Sequence, residues 1–238
     1  MENLKDKCVL LTGATGGIGR KILPLLQHSG ARVFITGKQQ EKLLNLAATL
    51  HLPEKQLLAA DLSKQDDVTA LKDAYFSVFD NIDIIINAAG IGIIKPIEQL
   101  TATEFVLSFE SNLLAPFFLI QAFLPNMKQN KKGLIINIPG VLGKVPMAGA
   151  AAYSASKYGL VGMMQSIREE VKRTEIRITN LFLGGVDTPF WDTIDLRVQK
   201  DKMVVAEEAA KAIWFLCQQP ASGVVSEMVL QPFNHQAI

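Results

Sequence analysis

The chain has few residues of the kinds that build disulfide frameworks and metal centres. Its 238 residues include two cysteines and three histidines, and none of them stands at the spacing of metal ligands. Cys8 and Cys217 are far apart in the sequence, so we expect buried free thiols in a reducing compartment, with a disulfide as the alternative. The sequence therefore predicts a cytoplasmic protein without a metal site.

An excess of charge of either sign is also missing. The 24 Lys and Arg residues and 23 Asp and Glu residues leave a formal net charge of +1, and the basic residues are spread along the chain. A nucleic acid or an anionic membrane surface is usually bound by a concentrated basic patch. We therefore expect neither of them as a partner.

No apolar run comes near the roughly 20 residues that are needed to cross a bilayer. Residues 1–7 contain no apolar core of a signal peptide. The hydrophobic share of 49% and the charged share of 20% are ordinary for a globular protein, and the length suits one domain with its own core. We expect a single domain over 1–238 without membrane association.

Short β-rich segments alternate with longer helical ones along the whole chain. Several of these segments are almost entirely apolar, which is typical of parallel strands covered on both faces. The alternation predicts an α/β fold, a single doubly wound (Rossmann) domain with a seven-stranded parallel sheet and helices on both faces. The seven predicted strands cover residues 8–12, 32–36, 56–60, 82–87, 134–138, 176–182 and 224–230.

Two local patterns refine this prediction. Thr101 and Glu104 have the spacing of a capping box and mark the start of a helix. Residues 184–203 follow the sixth predicted strand and form the least regular stretch of the chain. Because ligands of doubly wound sheets bind at the carboxyl ends of the strands, we expect this stretch, here called the lid segment, to cover a site.

The residues after the first strand read TGATGGIG, from Thr12 to Gly19. Glycines at a turn between a strand and a helix let the backbone approach a pyrophosphate, whose charge then lies at the helix amino end. A glycine turn that serves only the backbone is the alternative. We expect a dinucleotide to be bound by Gly13, Thr15, Gly17, Ile18 and Gly19.

The end of the second predicted strand indicates which dinucleotide is preferred. Many dinucleotide sites place an acidic residue there, which bonds the ribose 2′-hydroxyl. This chain instead has Thr36, Gly37 and Lys38. A lysine without a neighbouring carboxylate favours NADP(H) over NAD(H), with Lys38 and Thr15 near the 2′-phosphate; the alternative is a solvated lysine at a helix start.

Tyr153 and Lys157 form the clearest catalytic pattern. Residues four apart share a helix face, so the Lys157 ammonium is expected to lower the pKa of the Tyr153 phenol. A tyrosine with a pKa near neutrality can deliver a proton to a developing alkoxide. The alternative is an ordinary amphipathic pair on an exposed helix.

Together these motifs resemble the short-chain dehydrogenase/reductase family, especially its 3-oxoacyl-carrier-protein-reductase-like members. The resemblance covers essentially the whole chain. It is carried by the glycine turn at 12–19, Asp61-Leu62, Asn87-Ala-Ala-Gly90, Asn112, the Tyr153-x-x-x-Lys157 pair and the segment 184–188.

The resemblance implies a hydride transfer between a nicotinamide and a carbonyl or secondary alcohol, with Tyr153 as acid and base. It implies that Lys157 also holds the nicotinamide ribose and that Asn112 supports a water relay to Lys157. Further implied cofactor contacts are Asp61 with Leu62 at the adenine, Asn87 with Gly90 at the central strand, and Gly184, Val186 and Thr188 near the nicotinamide. Plainer alternatives are a helix cap at Asp61, a turn at 87–90 and a loop at 188–189.

The chain departs from the family pattern at Gly140, where members carry a serine that bonds the substrate carbonyl. No serine or threonine occurs anywhere from 137 to 152, and Leu183 stands where a proline is common. Loss of one oxyanion donor typically costs about 10²–10³ in rate. Two hypotheses follow: an NADP(H)-dependent oxidoreductase, or a catalytically weak NADP(H)-binding sensor or partner subunit.

Apolar residues surround the expected pocket and indicate an apolar carbonyl or alcohol substrate. They are Gly140, Leu142, Met147, Phe190 and Trp191; the alternative for the two aromatic residues is that they only anchor the lid segment. The predicted helices 104–128 and 150–173 are apolar on more than one face. Family likeness then suggests a homotetramer or homodimer formed through them.

Overall fold

A parallel sheet of seven strands forms the centre of the protein. The computed structural model describes residues 2–235, and the order of the sheet is β3-β2-β1-β4-β5-β6-β9. The predicted fold class is thereby confirmed. The strands are β1 (Cys8–Thr12), β2 (Arg32–Gly37), β3 (Leu57–Ala59), β4 (Ile84–Asn87), β5 (Lys132–Asn137), β6 (Glu175–Leu183), β7 (Val186–Asp187), β8 (Val204–Val205) and β9 (Glu227–Leu230).

Helices cover both faces of the sheet. They are α1 (Gly19–His28), α2 (Gln40–Thr49), α3 (Gln65–Phe76), α4 (Ala102–Phe109), α5 (Ala115–Asn130), α6 (Ala151–Val171) and α7 (Ala206–Cys217). Alternate residues of β1 belong to two separate cores. Val9 and Leu11 pack with α1, α2 and α7, whereas Leu10 packs with α3, α5 and α6. The period of two along a strand explains this division, and both cores bury apolar surface.

The structure corrects several strand boundaries. The fourth strand begins at Ile84 rather than at residue 82, because the Ile82 N–H donates to the Asn126 side chain at 3.2 Å and not to a neighbouring strand. The last strand begins at Glu227 rather than at residue 224. A separate two-stranded sheet of β7 and β8 was not predicted, since each of its strands has only two residues.

One helix of the protein is as long as a membrane span, although polar residues interrupt its apolar runs. The segment Ala102–Asn130 is one continuous helix of 29 residues with a mean hydropathy of 1.4 in its most apolar window. Among residues 2–235 it is the one helix long and apolar enough to cross a membrane by length and composition. Core helices pass the same test, and Leu119 and Phe123 of α5 are completely buried.

The predicted capping box is confirmed at the start of α4. The Thr101 hydroxyl accepts a hydrogen bond from the Glu104 N–H at 3.2 Å, and the Glu104 carboxylate accepts from the Thr101 N–H at 3.0 Å. Lys95 donates to the same carboxylate at 2.6 Å. These hydrogen bonds lower the pKa of Glu104 to about 2 and fix the start of the long helix.

Candidate active site

The glycine turn between β1 and α1 lies at the carboxyl end of the sheet. Gly13 has a φ of +63°, and a Cβ atom there would lie 2.8 Å from the backbone of Ala88. A Cβ atom on Gly17 would lie 2.5 Å from the Thr188 side chain. Glycine is therefore required at both positions, because the turn is packed between the end of β4 and the lid segment.

This turn fits the pyrophosphate of a dinucleotide. Within the described part of the chain, no side chain caps the amino end of α1, and its first turn contains no acidic residue. The first N–H groups of a helix need partners, and the helix dipole favours an anion there. The turn and helix could therefore hold the phosphates of a dinucleotide.

Three polar side chains meet at the carboxyl end of β2. Lys38 Nζ lies 3.0 Å from Asp61 Oδ1, and the Thr15 hydroxyl lies 3.5 Å from where a Cβ atom on Gly37 would be. Arg20, which sequence reasoning missed, donates to the Thr15 carbonyl oxygen at 2.9 Å. Arg20 directly follows the last glycine of the turn, and this position is the feature of the sequence that could have identified it. Two cations thus lie beside the expected ribose site.

Asp61 is not a helix cap, because α3 begins at Gln65 with Lys64 in the cap position. Its carboxylate accepts hydrogen bonds from the Ser63 N–H at 3.1 Å and from the Ser63 hydroxyl at 2.7 Å. Burial acts to raise the pKa of Asp61, but the hydrogen bonds from Ser63 and Lys38 outweigh it and lower the pKa. Asp61 is therefore ionised, and the next residue, Leu62, is buried.

Tyr153 and Lys157 lie on one face of α6, as their spacing predicts. The Lys157 ammonium is 5.5 Å from the centre of the Tyr153 ring and donates to the Ile138 carbonyl oxygen at 3.1 Å. Lys157 is only 4% exposed. An exposed amphipathic pair is thus the wrong interpretation, because a buried lysine is costly and uncommon outside functional sites.

Burial controls the pKa values of both groups. It lowers the pKa of the Lys157 ammonium to about 8 and raises the pKa of the Tyr153 phenol well above 10.0. The second direction is opposite to the one expected from the sequence, since desolvation of the phenolate outweighs the nearby ammonium. Tyr153 of the chain alone is therefore a neutral phenol that can donate a proton.

Asn112 joins the long helix to the loop after β4. Its side-chain oxygen accepts from the Ile91 N–H and its amide donates to the Ile91 carbonyl oxygen, both at 3.0 Å. A Cβ atom on Gly90 would lie 2.9 Å from the Asn112 oxygen and 3.4 Å from Lys157 Nζ. Gly90 thus allows Asn112 and Lys157 to approach the same backbone.

The helix around Asn112 is wound as a π-helix from Glu110 to Leu114, which sequence reasoning missed. Such segments often occur at functional sites. Asn112 also donates to the Ser156 hydroxyl at 3.1 Å, and the Ser156 and Ser108 hydroxyls are 3.3 Å apart. This buried network ties the long helix to α6, one turn from Tyr153.

Three asparagines form a row across β4, β5 and β6. Asn87 donates to Asn137 at 2.8 Å, and Asn137 donates to Asn180 at 3.4 Å. The three residues are in register in the parallel ladders and are buried. Asn87 is therefore part of a hydrogen-bonded ladder and does more than form a turn. Asn137 and Asn180 were not predicted, because their alignment depends on strand register.

Gly140 adopts a backbone conformation that favours glycine. Its φ is 71° and its ψ is 168°, a region that residues with a side chain rarely occupy. A Cβ atom there would lie 3.9 Å from the Tyr153 hydroxyl and 3.4 Å from the Leu183 carbonyl oxygen. The position of the missing serine is thus beside Tyr153, where a Cβ atom would fit at ordinary van der Waals distances.

The lid segment packs over this region through an apolar cluster. Its members are Ile94, Ala150, Ile194, Leu142, Phe190 and Trp191. The Trp191 indole donates to the Val186 carbonyl oxygen at 2.9 Å, and Thr188 is buried against the glycine turn. Phe190 and Trp191 thus both anchor the segment and line the space near Tyr153.

Three further predicted site residues lie at the edge of this cluster or outside it. Met147 is 37% exposed, and its carbonyl oxygen accepts from the N–H of the cluster member Ala150 at 3.1 Å. Gly184 faces the carboxyl-terminal segment, because a Cβ atom there would lie 2.8 Å from Pro232. Val186 is buried in the core beside β8.

Cys8 and Cys217 are free, buried thiols, so the disulfide alternative was wrong. In the region 2–235, no group of three or more His, Cys, Asp or Glu side chains is arranged to hold a metal ion.

Comparison with known proteins agrees with this geometry. The family model described as short chain dehydrogenase matches residues 7–198. An uncharacterized oxidoreductase from Staphylococcus saprophyticus is 30% identical over 241 residues, which cover 98% of each chain.

Solved structures of a short-chain oxidoreductase and an alcohol dehydrogenase also resemble this protein. A metagenomic short-chain oxidoreductase in complex with NADP is 30% identical, with a TM-score of 0.82 over 97% of this chain and 99% of that one. An alcohol dehydrogenase from the archaeon Thermococcus sibiricus, complexed with 5-hydroxy-NADP, shares the fold with a TM-score of 0.88 over 98% of this chain and 100% of that one, at 24% identity. From its sequence match, its fold and its site, the chain belongs to the short-chain dehydrogenase family of oxidoreductases.

Proposed function

We propose that the protein is an NADP(H)-dependent oxidoreductase that interconverts an apolar carbonyl compound and its secondary or primary alcohol. The observation that carries this proposal is the buried Lys157 ammonium, 5.5 Å from the ring of Tyr153. Both groups lie at the carboxyl end of the sheet, next to a turn that fits a dinucleotide. A buried cation beside a phenol has a cost in stability that a purely structural role does not explain.

A nicotinamide held at this site would supply the hydride for the carbonyl carbon. Tyr153 donates the proton from its hydroxyl to the carbonyl oxygen, so that the C=O double bond becomes a C–O single bond with one new C–H and one new O–H bond. Lys157, whose pKa is about 8, is protonated at neutral pH. Its positive charge stabilises the phenolate that remains and opposes the effect of burial on Tyr153.

Asn112 has a positioning role in this scheme. By holding both backbone groups of Ile91, it fixes the loop that passes Gly90 and Lys157. Preorganised groups lower the barrier because they need no rearrangement during the reaction. This assignment is consistent with the water relay that the family resemblance implies.

The substrate carbonyl must be oriented without the usual serine. The space beside Gly140 lies 3.9 Å from the Tyr153 hydroxyl, measured from the position of an added Cβ atom. In this scheme the carbonyl oxygen accepts a hydrogen bond directly from the Tyr153 hydroxyl, which orients the substrate. Tyr153 is then the one side-chain hydroxyl that contacts the substrate oxygen.

The preference for NADP(H) rests on Lys38, directly after β2, and on Arg20 in α1, which donates to the Thr15 carbonyl oxygen at 2.9 Å. The related metagenomic oxidoreductase was solved with NADP bound, which supports the same class of cofactor here. The apolar cluster of the lid segment supports an apolar substrate, such as the acyl chains used by the 3-oxoacyl-carrier-protein-reductase-like members that the sequence resembles. A cytoplasmic location stays a prediction.

Gly140 favours a second candidate function, a catalytically weak NADP(H)-binding sensor or partner subunit. Both candidate functions predict that the protein binds NADPH. Only the oxidoreductase function predicts turnover of a carbonyl compound. NADPH and NADH are titrated by their fluorescence, and a panel of aliphatic and aromatic carbonyl compounds is then assayed with NADPH.

The deciding variant is Tyr153→Phe, with Tyr158→Phe as the matched control. Tyr158 lies on the same helix but is 45% exposed. We expect Tyr153→Phe to lower turnover by about 10²–10⁴ because the proton donor is lost, with NADPH binding retained. Tight NADPH binding by the wild type without turnover of any carbonyl would instead establish the sensor function.

A further inference from the structure

One contact across the candidate site is unusually close and joins segments far apart in the sequence. A Cβ atom on Gly92 would lie 2.9 Å from Phe190 Cε1 and 2.8 Å from Ile194 Cδ1, and it would be closer still to Phe190 Cζ. Real Cβ atoms are not found at such distances. The Phe190 ring therefore rests directly on the Gly92 backbone, in a position that any other residue at 92 would prevent.

The same ring contacts the catalytic tyrosine. The Phe190 and Tyr153 ring centres are 6.1 Å apart with the planes tilted by 56°, and Trp191 meets Phe190 edge-on at 5.4 Å. Both distances lie in the range of favourable aromatic pairs. Phe190 thus spans the gap between Gly92 and Tyr153.

Packing holds Phe190 in this place. Ile194, in the same lid segment, is 8% exposed and packs with Ile94 and Ala150. The lid segment is further fixed by the hydrogen bond from the Trp191 indole to Val186. Well-packed side chains move only at a cost, so the ring is a wall of the pocket.

The free space therefore differs between the two sides of Tyr153. On the Gly140 side an added Cβ atom would meet the Leu183 carbonyl oxygen at 3.4 Å and the Tyr153 hydroxyl at 3.9 Å, both ordinary van der Waals distances. The absent side chain therefore leaves room for a carbon atom there. On the other side the Phe190 ring is pressed against the Gly92 backbone, where an added carbon atom would not fit.

We propose that the contact between Gly92 and Phe190 sets substrate specificity, and that the protein acts on aldehydes and methyl ketones with one extended apolar arm. The small substituent, a hydrogen or a methyl group, faces Phe190, and the arm extends past Gly140. This inference rests on the proposed function and narrows its substrate class.

The test compares three substrates: a linear aldehyde, the methyl ketone of the same chain length, and diisopropyl ketone, which is branched on both sides. The measured quantity is the ratio of kcat/KM for diisopropyl ketone to that for the linear aldehyde. We expect this ratio to rise at least tenfold in Phe190→Ala, because the wall is removed. Gly92→Ala should raise the ratio in the same direction, because its methyl group displaces the ring.

A double variant tests whether both substitutions act through one contact. In Gly92→Ala/Phe190→Ala the kcat/KM ratio should stay within twofold of its value in Phe190→Ala. The Phe190 ring is already absent there, so the methyl group that Gly92→Ala adds has nothing to displace. Gly162→Ala is the matched control, because a Cβ atom there meets nothing within 4 Å. This control should leave the ratio unchanged.

A second measurement is independent of activity. The chain has two tryptophans, so Trp214→Phe leaves Trp191 as the single indole reporter beside Phe190. In that background, Gly92→Ala should shift the Trp191 emission, and Gly162→Ala should not. An unshifted emission would show that the lid segment does not rest on Gly92 and would overturn the inference.

The remaining outcomes separate the inference from the proposed function. Equal substrate ratios in the wild type and Phe190→Ala, with turnover present, overturn the specificity assignment and leave the proposed function intact. Loss of turnover on all three substrates in Phe190→Ala, with NADPH binding retained, also overturns it. No turnover of any carbonyl by the wild type overturns the proposed function, and the specificity assignment with it.

Discussion

Lys38 and Asp61 form an ion pair of 3.0 Å at the carboxyl end of the sheet, so the cation expected at the 2′-phosphate already has a carboxylate partner. Lys38 is 55% exposed in its side chain and Asp61 is 27% exposed. Exposed pairs of this kind contribute little to stability, about 0–1 kcal/mol. The pair can therefore open, and Lys38 is available to a second anion.

The first prediction concerns this lysine. Lys38→Gln should weaken NADPH binding by about 10–100-fold, since a hydrogen bond to a charged group contributes about 1.5–3 kcal/mol, and should change NADH binding less than twofold. Fluorescence titration of both cofactors measures the difference. Lys55→Gln, before β3 at the opposite end of the sheet, is the control. Equal losses for NADPH and NADH would show that Lys38 does not contact the 2′-phosphate.

The second prediction concerns the free energy that the burial of the Lys157 ammonium costs the folded state. Because its pKa is lowered from 10.5 to about 8, the unfolded chain binds this proton more tightly than the folded chain, and the free energy of unfolding rises as the pH increases from about 8 to 10.5. Lys157→Met removes this penalty. The variant should be more stable than the wild type at pH 7, by up to about 3 kcal/mol.

Urea unfolding at pH 7 and near pH 10 measures the effect. The difference between Lys157→Met and the wild type should shrink at the higher pH, while Lys128→Met, an exposed lysine on α5, should show no such change. Turnover of the wild type should fall above about pH 8, where Lys157 loses its proton. A variant less stable than the wild type at pH 7 would contradict the assigned pKa.

The third prediction concerns the position of the missing serine. Gly140→Ser and Gly140→Ala should both destabilise the fold by about 1–3 kcal/mol, because a φ of 71° strains any residue with a side chain. Thermal unfolding measures this, with Gly162→Ala as the reference. A gain of turnover in Gly140→Ser should therefore come with this loss of stability, since its Cβ atom would lie 3.9 Å from the Tyr153 hydroxyl. A gain of turnover without loss of stability would show that the backbone readjusts.

The fourth prediction concerns assembly. Apolar side chains on the long helix and on α6 stay exposed: Phe105 at 40%, Val106 at 52%, Leu107 at 40%, Phe117 at 39% and Tyr158 at 45%. Such a patch is typical of an interface, and we expect a homodimer or homotetramer formed through it. Val106→Glu should reduce the oligomeric state in light scattering at micromolar concentration. Leu196→Glu, in the lid segment, is the control, and a monomeric wild type would disprove the interface.

The parts of the site that depend on a few consecutive residues could be predicted from the sequence. The glycine turn, the capping box at Thr101 and the shared face of Tyr153 and Lys157 all follow from local geometry. The parallel, doubly wound sheet followed from the alternation of apolar segments with helices.

The parts that depend on long-range contacts could not be predicted. The π-helix at Asn112 coincides with hydrogen bonds from its side chain to the backbone of Ile91, a distant contact that no local pattern predicts. The pKa of Tyr153 was expected to fall because the sequence shows the neighbouring lysine but not the burial of the phenol. The contact of Gly92 with Phe190 joins the loop after β4 to the lid segment, which α4, α5, β5, α6 and β6 separate in the chain.

The asparagine ladder of β4, β5 and β6 has a consequence for how this pocket could change. The Asn87 and Asn137 amides each point their nitrogen toward the oxygen of the next asparagine, so reversing the Asn137 amide would place like atoms together. The row thereby holds β4, β5 and β6 in register with one another. These three strands precede Gly92, Gly140 and the lid segment. A substitution of Asn137 would therefore act on the loops that follow all three strands, although Asn137 lies in none of those loops.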